Sequence, residues 1–414
     1  MSVLKDPARL FWRNFFTILR PAVALGQWTT IAVFAAGLFE VRFPVWAHVI
    51  GPLVFLGLNS AAFALPLSQA GAIGMLRRVH LAVGFISLFT FGCVLIVHAG
   101  FAAVWVLAQL AAVLGAAPLP DVFWTLALRG SAYGMLMVAA VMVYGYVFGQ
   151  ARLSFEELDV FIEGLPEVFD GLRVVQLSDI HMGIFMSPQQ LGVYVDEVNR
   201  LAPDLICITG DIAADLAGLE AGMDQLARLE ARLGVIAILG NHDVYCGADR
   251  VAELLRRGTT FEVLRDDVAV VESGGARLHV VGIEDRGGPD HFRGLKRDER
   301  LDRLCERVPA GSPFVLLTHR PDLFKHAARL GASLVLAGHT HGGQLALPWP
   351  RRRPLSIARF ITPWARGTYR AGGSVLHVNC GLGVTGQPIR LATPREVTVI
   401  RLAKSADHTA TIRT

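Results

Sequence analysis

Residues 334–344 read LVLAGHTHGGQ. An apolar run of strand character stops at Gly338, His339 and His341 follow one residue apart, and a Gly-Gly pair closes the stretch. Alternate side chains of an extended segment share a face, so His339 and His341 would point the same way. The glycines would let the backbone turn closely around whatever the two rings face. A surface turn holding two histidines by chance would look the same, and the rest of the chain decides between the two.

The pattern recurs upstream. Residues 172–177 (LRVVQL) read as a strand and stop at SDIH, giving Asp179 and His181. Residues 205–209 (LICIT) stop at TGD, giving Asp211, and residues 235–239 (VIAIL) stop at GNHD, giving Asn241, His242 and Asp243. Residues 314–317 (FVLL) stop at TH, giving His319. Five buried-type strands thus deliver His, Asp or Asn to one edge, where ligands of α/β sheets gather. Each motif alone is weak, because an Asp-capped turn or a TGD turn is common; five in this order are not. Between them, Ser187-Pro188 reads as the cap and first residue of a helix running to about Leu201. A second helix is expected over residues 249–257, and antiparallel strands around a Gly-Gly turn over 263–283. Residues 374–378 and 397–402 add two more strands. Strand–helix alternation followed by mixed strands predicts an α/β sandwich.

Hydropathy divides the chain. Of its 414 residues 53% are hydrophobic and only 18% charged, against about a quarter charged in soluble domains. The deficit lies before residue 151. The expected domains are therefore an all-α transmembrane bundle over residues 1–150 and a globular domain over 151–414. Four runs (21–38, 46–67, 79–116 and 122–148) meet the roughly 20 residues a spanning helix needs. The third is long and reads as one tilted helix; two short helices there would make five spans. Lys5, Arg9, Arg13, Arg20, Arg77 and Arg78 fall on one side of the spans and Arg42 alone on the other. This bias puts the N-terminus in the cytoplasm. Four spans would return the globular domain to that side of an inner (plasma) membrane, and five would reverse it. His80 and His98, in or near the third run, read as interfacial or packing residues. A formal charge of +4 does not argue for a nucleic-acid partner. The five cysteines (Cys93, Cys207, Cys246, Cys305, Cys380) form no CxxC, so no disulfide framework is expected.

The residue types at the strand ends carry chemistry. Two divalent metals roughly 3.5–4 Å apart need one bridging ligand and several terminal nitrogen and oxygen ligands. Carboxylate with imidazole suits Mn, Fe, Zn or similar ions, and the lack of cysteine ligands argues against a structural zinc. The ordered series SDIH, TGD, GNHD, TH and GHTH resembles that of the calcineurin-like metallophosphoesterases. The block GHTHGGQ and the segment GLGVTGQPIR (381–390) resemble their membrane-anchored branch, and the likeness covers roughly residues 153–403. It implies a four-layer αββα sandwich and two divalent ions, Mn first, with Fe, Zn or Mg as alternatives. By the same resemblance Asp179, His181 and His341 would hold one ion and Asp211 would bridge to the other. Asn241, His319 and His339 would complete the second site. A hydroxide bridging the metals would attack phosphorus, since metal-bound water ionises readily. His242 would not ligate; it would face the phosphate and protonate the leaving oxygen. Asp243 would orient His242 or a nearby loop.

Glu284, Asp285 or His291 could line the substrate pocket, though a solvated loop is the simpler reading. Trp349 with Arg351, Arg352 and Arg353 suits an anionic lipid surface, at about 1 kcal/mol per basic residue; a solvated charge run is the plainer alternative. The expected function is a membrane-anchored phosphohydrolase of phosphodiesterase or pyrophosphatase type. Its expected partner is a phosphorylated, lipid-linked substrate. A general phosphomonoesterase is a variant of this reading. A catalytically weak metal-binding sensor or scaffold is the main alternative, and the presence of His242 weighs against it. A transporter would need charged or broken spans, for which Arg129 and Pro66 give thin support.

Overall fold

The computed structural model describes residues 7–64, 72–115, 119–120, 122–183, 185–287, 296–348, 355–356, 358–386 and 388–404. Lys5, Pro66, His291, Trp349 and Arg351–Arg353 lie outside the described residues, as do the side chains of Arg9, Arg13, Arg77, Arg78 and Cys93. The chain divides into two compact units, Met1–Tyr146 and Val147–Thr414.

The first unit holds α1 (Pro7–Phe39), α2 (Ala47–Ala64), α3 (Ala72–Val113) and α4 (Val122–Tyr144). Among the described residues three stretches are long and apolar enough to cross a membrane: Arg20–Phe39, Ala82–Val113 and Val122–Gly149. The second expected span is shorter. Helix α2 has 18 residues, about 27 Å of rise, against a hydrocarbon core of about 30 Å. The third run forms one unbroken helix of 42 residues, so the split into two short helices is not adopted. Polar side chains inside this unit pair between helices, as expected where the surroundings offer no other partner. Asn59 donates to Gln27 at 3.0 Å, and Thr30 meets Thr90 at 3.1 Å. His98 Nδ1 lies 3.0 Å from the Val94 carbonyl and 3.3 Å from Ser131 Oγ, a packing role. Arg129 pairs with Glu40 at 3.1 Å, so its charge is met at the end of α1.

The second unit contains β1 (Leu153–Phe161), β2 (Arg173–Leu177), β3 (Leu205–Thr209), β4 (Val235–Ile238), β5 (Glu262–Leu264), β6 (Asp267–Ser273) and β7 (Ala276–Ile283). It continues with β8 (Phe314–Thr318), β9 (Leu334–Ala337), β10 (Ala346–Leu347), β11 (Leu355–Ser356), β12 (Gly367–Ala371), β13 (Ser374–Val378) and β14 (Arg395–Ala403). Two six-stranded sheets form, in the orders β1-β14-β2-β3-β4-β5 and β12-β13-β9-β8-β7-β6, with β10 and β11 as a short ribbon. Strands β2 to β5 run parallel, as do β7, β8, β9 and β13. The carboxyl ends that matter therefore come from both sheets.

Period-two alternation sets the layers. Val174, Leu205, Cys207, Ile236, Val315, Leu317, Leu334 and Leu336 share one buried cluster, the seam between the sheets. Their neighbours Val175, Ile206, Ile208 and Ala237 pack instead with residues of α5 (Pro188–Arg200), α6 (Leu216–Leu226) and α7 (Asn241–Gly258). On the other sheet Leu316 and Val335 pack against α8 (Glu299–Cys305) and α9 (Phe324–Arg329). Helix, sheet, sheet, helix is the four-layer arrangement expected. The last short helix, α10 (Ala358–Ile361), follows the ribbon.

Two expectations shift. Helix α7 begins at Asn241 rather than near Asp249, because Asp243 accepts the Gly240 amide at 2.9 Å and caps the turn. Gly247 (φ 106°) kinks it before the part read from sequence. The strands expected over 263–283 divide between sheets: β5 joins the first, while β6 and β7 form the hairpin around Gly274-Gly275 in the second.

Candidate metal centre

Each predicted ligand stands just past a strand. Asp179 and His181 follow β2, Asp211 follows β3, and Asn241 and His242 open α7 after β4. His319 follows β8, and His339 and His341 follow β9. The five strand ends do not form one sheet edge, as the sequence suggested; three come from the first sheet and two from the second, and they converge.

The backbone bends sharply to bring them together. Asp179, His181, Asp211, His339 and His341 all have positive φ, between 50° and 71°. Non-glycine residues adopt this left-handed conformation at a cost and mostly where surrounding structure enforces it. The enforcement is visible: the amides of Asp179 and His181 donate to the carbonyls of Gly210 and Asp211 at 3.0 Å, locking the β2 loop to the β3 loop. Gly240 and Gly338 allow the close approach, since a Cβ on either would overlap the carboxylate of Asp211 or Asp179 respectively.

Among the described residues three ligand-like groups result: Asp179, His181 and His341; His181, Asp211 and His242; Asp211, His319 and His339. Within each group the candidate donor atoms lie within 4.8 Å of one another. His181 Nε2 is 3.1 Å from His341 Nε2, which is 3.3 Å from Asp179 Oδ1. Asp211 Oδ2 is 3.2 Å from His319 Nε2 and 3.6 Å from His181 Nε2, so one carboxylate reaches both sides. His339 Nδ1 is 3.3 Å from His319 Nε2. Thr209 O, at 2.8 Å, engages His319 Nδ1, which aims Nε2 at the cluster. Such an outer bond is the usual way a protein fixes a ligating imidazole. Asn241 adds a signal of its own: its side chain bonds to Tyr245, and its buried Oδ1 has no hydrogen-bond partner. A buried amide oxygen without a donor is costly, and a cation there would satisfy it. The donor set of imidazole nitrogen, carboxylate and amide oxygen fits divalent metals.

Electrostatics agree. Burial, with the charge of His242 added, pushes His181 down to about 3. Burial also holds His339 and His341 well below the usual histidine range. These rings stay neutral, the form that ligates. Burial alone would raise Asp211, but His319 and His242 hold it well below the usual carboxylate range. Burial pushes Asp179 up to about 6. His242 is half-buried; burial lowers it, partly offset by Asp211. Its amide donates to Asp211 Oδ1 at 2.8 Å, and its ring stands edge-on to that of His181 at 4.7 Å.

Asp243 bonds the loop, not His242. Its oxygens accept the amides of Ala213 (2.8 Å), Gly240 (2.9 Å) and Ile212 (3.2 Å). Glu284 joins a surface network through Arg265. Asp285 is buried against Arg320 at 2.6 Å, so it is no solvated loop residue.

Sequence reading gave Arg390 no role. It is fully buried and donates to the carbonyls of Cys380, Gly381, Gly383, Thr393 and Pro394, with Nη2 3.4 Å from His341 Nδ1. The loop it holds packs on Asp179, as the Gly383 amide donates to the Asp179 carbonyl at 2.6 Å. The only sequence signal was the glycine-rich segment around it.

A four-layer sandwich whose strand ends pool these ligands defines a metallophosphoesterase. The model of the calcineurin-like phosphoesterase family matches residues 172–343. The transmembrane protein with metallophosphoesterase domain of Danio rerio is 31% identical over 286 residues, covering 67% of this chain and 63% of that protein. The uncharacterized metallophosphoesterase YkuE of Bacillus subtilis is 31% identical over 278 residues, covering 64% of this chain and 93% of its own. The UDP-2,3-diacylglucosamine pyrophosphatase LpxG of Chlamydia trachomatis is 26% identical over 300 residues, covering 57% and 86%. The chain spans under two thirds of the Danio rerio relative's length. It belongs to the calcineurin-like phosphoesterase family.

Proposed function

We propose that this chain is a membrane-anchored phosphohydrolase of phosphodiesterase or pyrophosphatase type, with residues 1–150 as the anchor and 151–414 as the catalytic domain. The observation that carries it is the single carboxylate of Asp211, within 3.2 Å of His319 and 3.6 Å of His181, between two sets of ligand-type side chains. Asp179, His181 and His341 would hold one divalent ion, Asn241, His319 and His339 would hold a second, and Asp211 would be shared between them. Manganese is the first choice, with Fe, Zn or Mg as alternatives. When bound, such ions supply Lewis acidity and a water acidified enough to act as a nucleophile near neutral pH.

The chain's own residues do the rest. His242 faces the phosphate, offsets charge in the transition state and gives a proton to the leaving oxygen. Asp243 is a positioning residue: by gripping three amides it fixes the loop after Asp211 against the first turn of α7. The substrate is phosphorylated and lipid-linked. The apolar helices support this, as does the basic run Arg351–Arg353 close in sequence to the GHTHGGQ turn. One relative is named as a pyrophosphatase of a diacylated nucleotide sugar. The basic bias before the first span supports a cytoplasmic catalytic domain at the plasma (inner) membrane.

The test is hydrolysis of a bis-aryl phosphodiester and an aryl phosphomonoester by the full chain in detergent, with Mn added or chelated, alongside metal content. Metal-dependent turnover lost in Asp211→Ala and His242→Ala, with metal lost only in the former, is the expected result. Failure to bind any divalent metal would overturn the reading.

A further inference from the structure

We propose that Arg320, held by Asp285, is the cation that receives the leaving group, and that the substrate therefore carries a second anionic group beside the scissile bond, as in a phosphoanhydride. This rests on the phosphohydrolase reading above.

Arg320 immediately follows His319 and is 7% exposed. Its Nε donates to Asp285 Oδ2 at 2.6 Å, with both side chains under a tenth exposed. Burying an ion pair costs the desolvation of two charges, so such a pair is a poor stabilising device. This one sits at the strand ends where the metal ligands gather, rather than within the packed sheets. Asp285 is itself fixed. Its amide donates to the Leu239 carbonyl at 3.1 Å, tying the end of β7 to the end of β4, and its Oδ1 accepts the Gly287 amide at 2.7 Å. Gly287 (φ 56°) lies against α7: a Cβ there would stand 2.9 Å from Val244 and 3.1 Å from Tyr245. The Tyr245 ring is 5.6 Å from that of His242.

This chain of contacts places Arg320 and Asp285 on the His242 side of the centre. A fixed cation thus accompanies the group assigned to the leaving oxygen. A leaving alkoxide needs a proton. A leaving phosphate is already a stable anion, and what it needs is charge neutralisation. Guanidinium is well matched to phosphate, because its planar fork can bond two oxygens at once.

In that reaction the oxygen of water bonds to one phosphorus and the bond from that phosphorus to the bridging oxygen breaks. The electron pair stays on the departing phosphate, facing Arg320, and the two water protons are shared between the product phosphates and solvent.

The experiment compares wild type, Arg320→Gln, Arg320→Lys and Asp285→Asn, as full chains in detergent with Mn. The probes are two diphosphates, UDP-glucose and CDP-diacylglycerol in mixed micelles, and one bis-aryl phosphodiester. R320Q should lose about 100-fold or more in kcat on the diphosphate that wild type turns over, the scale of one lost transition-state donor. It should lose less than about fivefold on the diester. R320K should recover part of the loss, and D285N should show the same substrate selectivity more weakly. Metal content should stay at the wild-type value in all three. Equal losses on both substrate classes would mean a merely structural role and overturn the proposal. So would a wild type that cleaves the diester but neither diphosphate, while leaving the phosphohydrolase reading intact. A wild type that binds metal yet cleaves none of the probes would count against both.

Discussion

His319 Nε2 lies 3.2 Å from Asp211 Oδ2, one residue from the second sheet and the other from the first. The contact joins the two halves of the sandwich at the point where both proposed metals need a ligand. Asp211→Asn keeps the size of the side chain but removes the charge. It should weaken metal binding by about 100-fold or more, with turnover lost in step. Metal analysis after dialysis against a weak chelator checks this, and full retention of two ions would refute the bridging assignment.

The same contact predicts a pH dependence. Burial works against the charged form of His319, but Asp211 dominates and pushes it up to about 10. A value raised above that of the unfolded chain means the protonated ring stabilises the metal-free fold below about pH 6.5. That contribution is lost as pH rises through about 10. A metal needs the neutral ring. Binding between pH 7 and 9 should therefore release about one proton, and affinity should rise about tenfold per pH unit. Calorimetry in two buffers of different ionisation enthalpy reads the proton directly; no release at pH 8 would contradict the assignment.

His242→Ala should leave metal content unchanged and cut turnover by about 100- to 10,000-fold. The loss should shrink for substrates whose leaving phenol is acidic, because these need no proton. A uniform loss across a series of leaving groups would show that His242 does not act as the acid.

Arg390 holds five backbone carbonyls beside His341. Arg390→Met keeps the volume and drops the charge and the donors. It should cost about 3–5 kcal/mol, lowering the thermal midpoint of this unit by about 10 °C. Metal should be lost first from the Asp179–His341 side. A midpoint within two degrees of wild type would show that the carbonyls find other partners.

Much of this was legible in the chain. Ser187 caps α5 as read, accepting from the Gln190 amide at 3.2 Å, and LICIT and SVLHV are strands with the expected bounds. The ligand residues could be read because each needs a strand end, and strand ends show in local pattern. What failed was non-local. Strand β1 carries Glu156, Glu157 and Asp159 at the edge of its sheet, and its partner begins at Arg395. No local periodicity announces such a strand. The division of five strand ends between two sheets is likewise invisible to a reading one segment at a time. Nothing local in the sequence marks Arg390 and Arg395 as buried. They are buried because the glycine-rich tail turns its carbonyls inward, as when Arg395 donates to Leu382 O and Gln150 O.

The sheet order β1-β14-β2 has a consequence for how the protein comes into being. The final strand, Arg395–Ala403, lies between the first two. A ribosome delivers the apolar helices first and the ligands from Asp179 to His341 next, but the gap between β1 and β2 stays open until residue 403 has emerged. Until then the loop that Arg390 and Arg395 brace has no floor. The ligand residues are therefore all made before the sheet that positions three of their strand ends can close, and the proposed centre waits for the strand made after them.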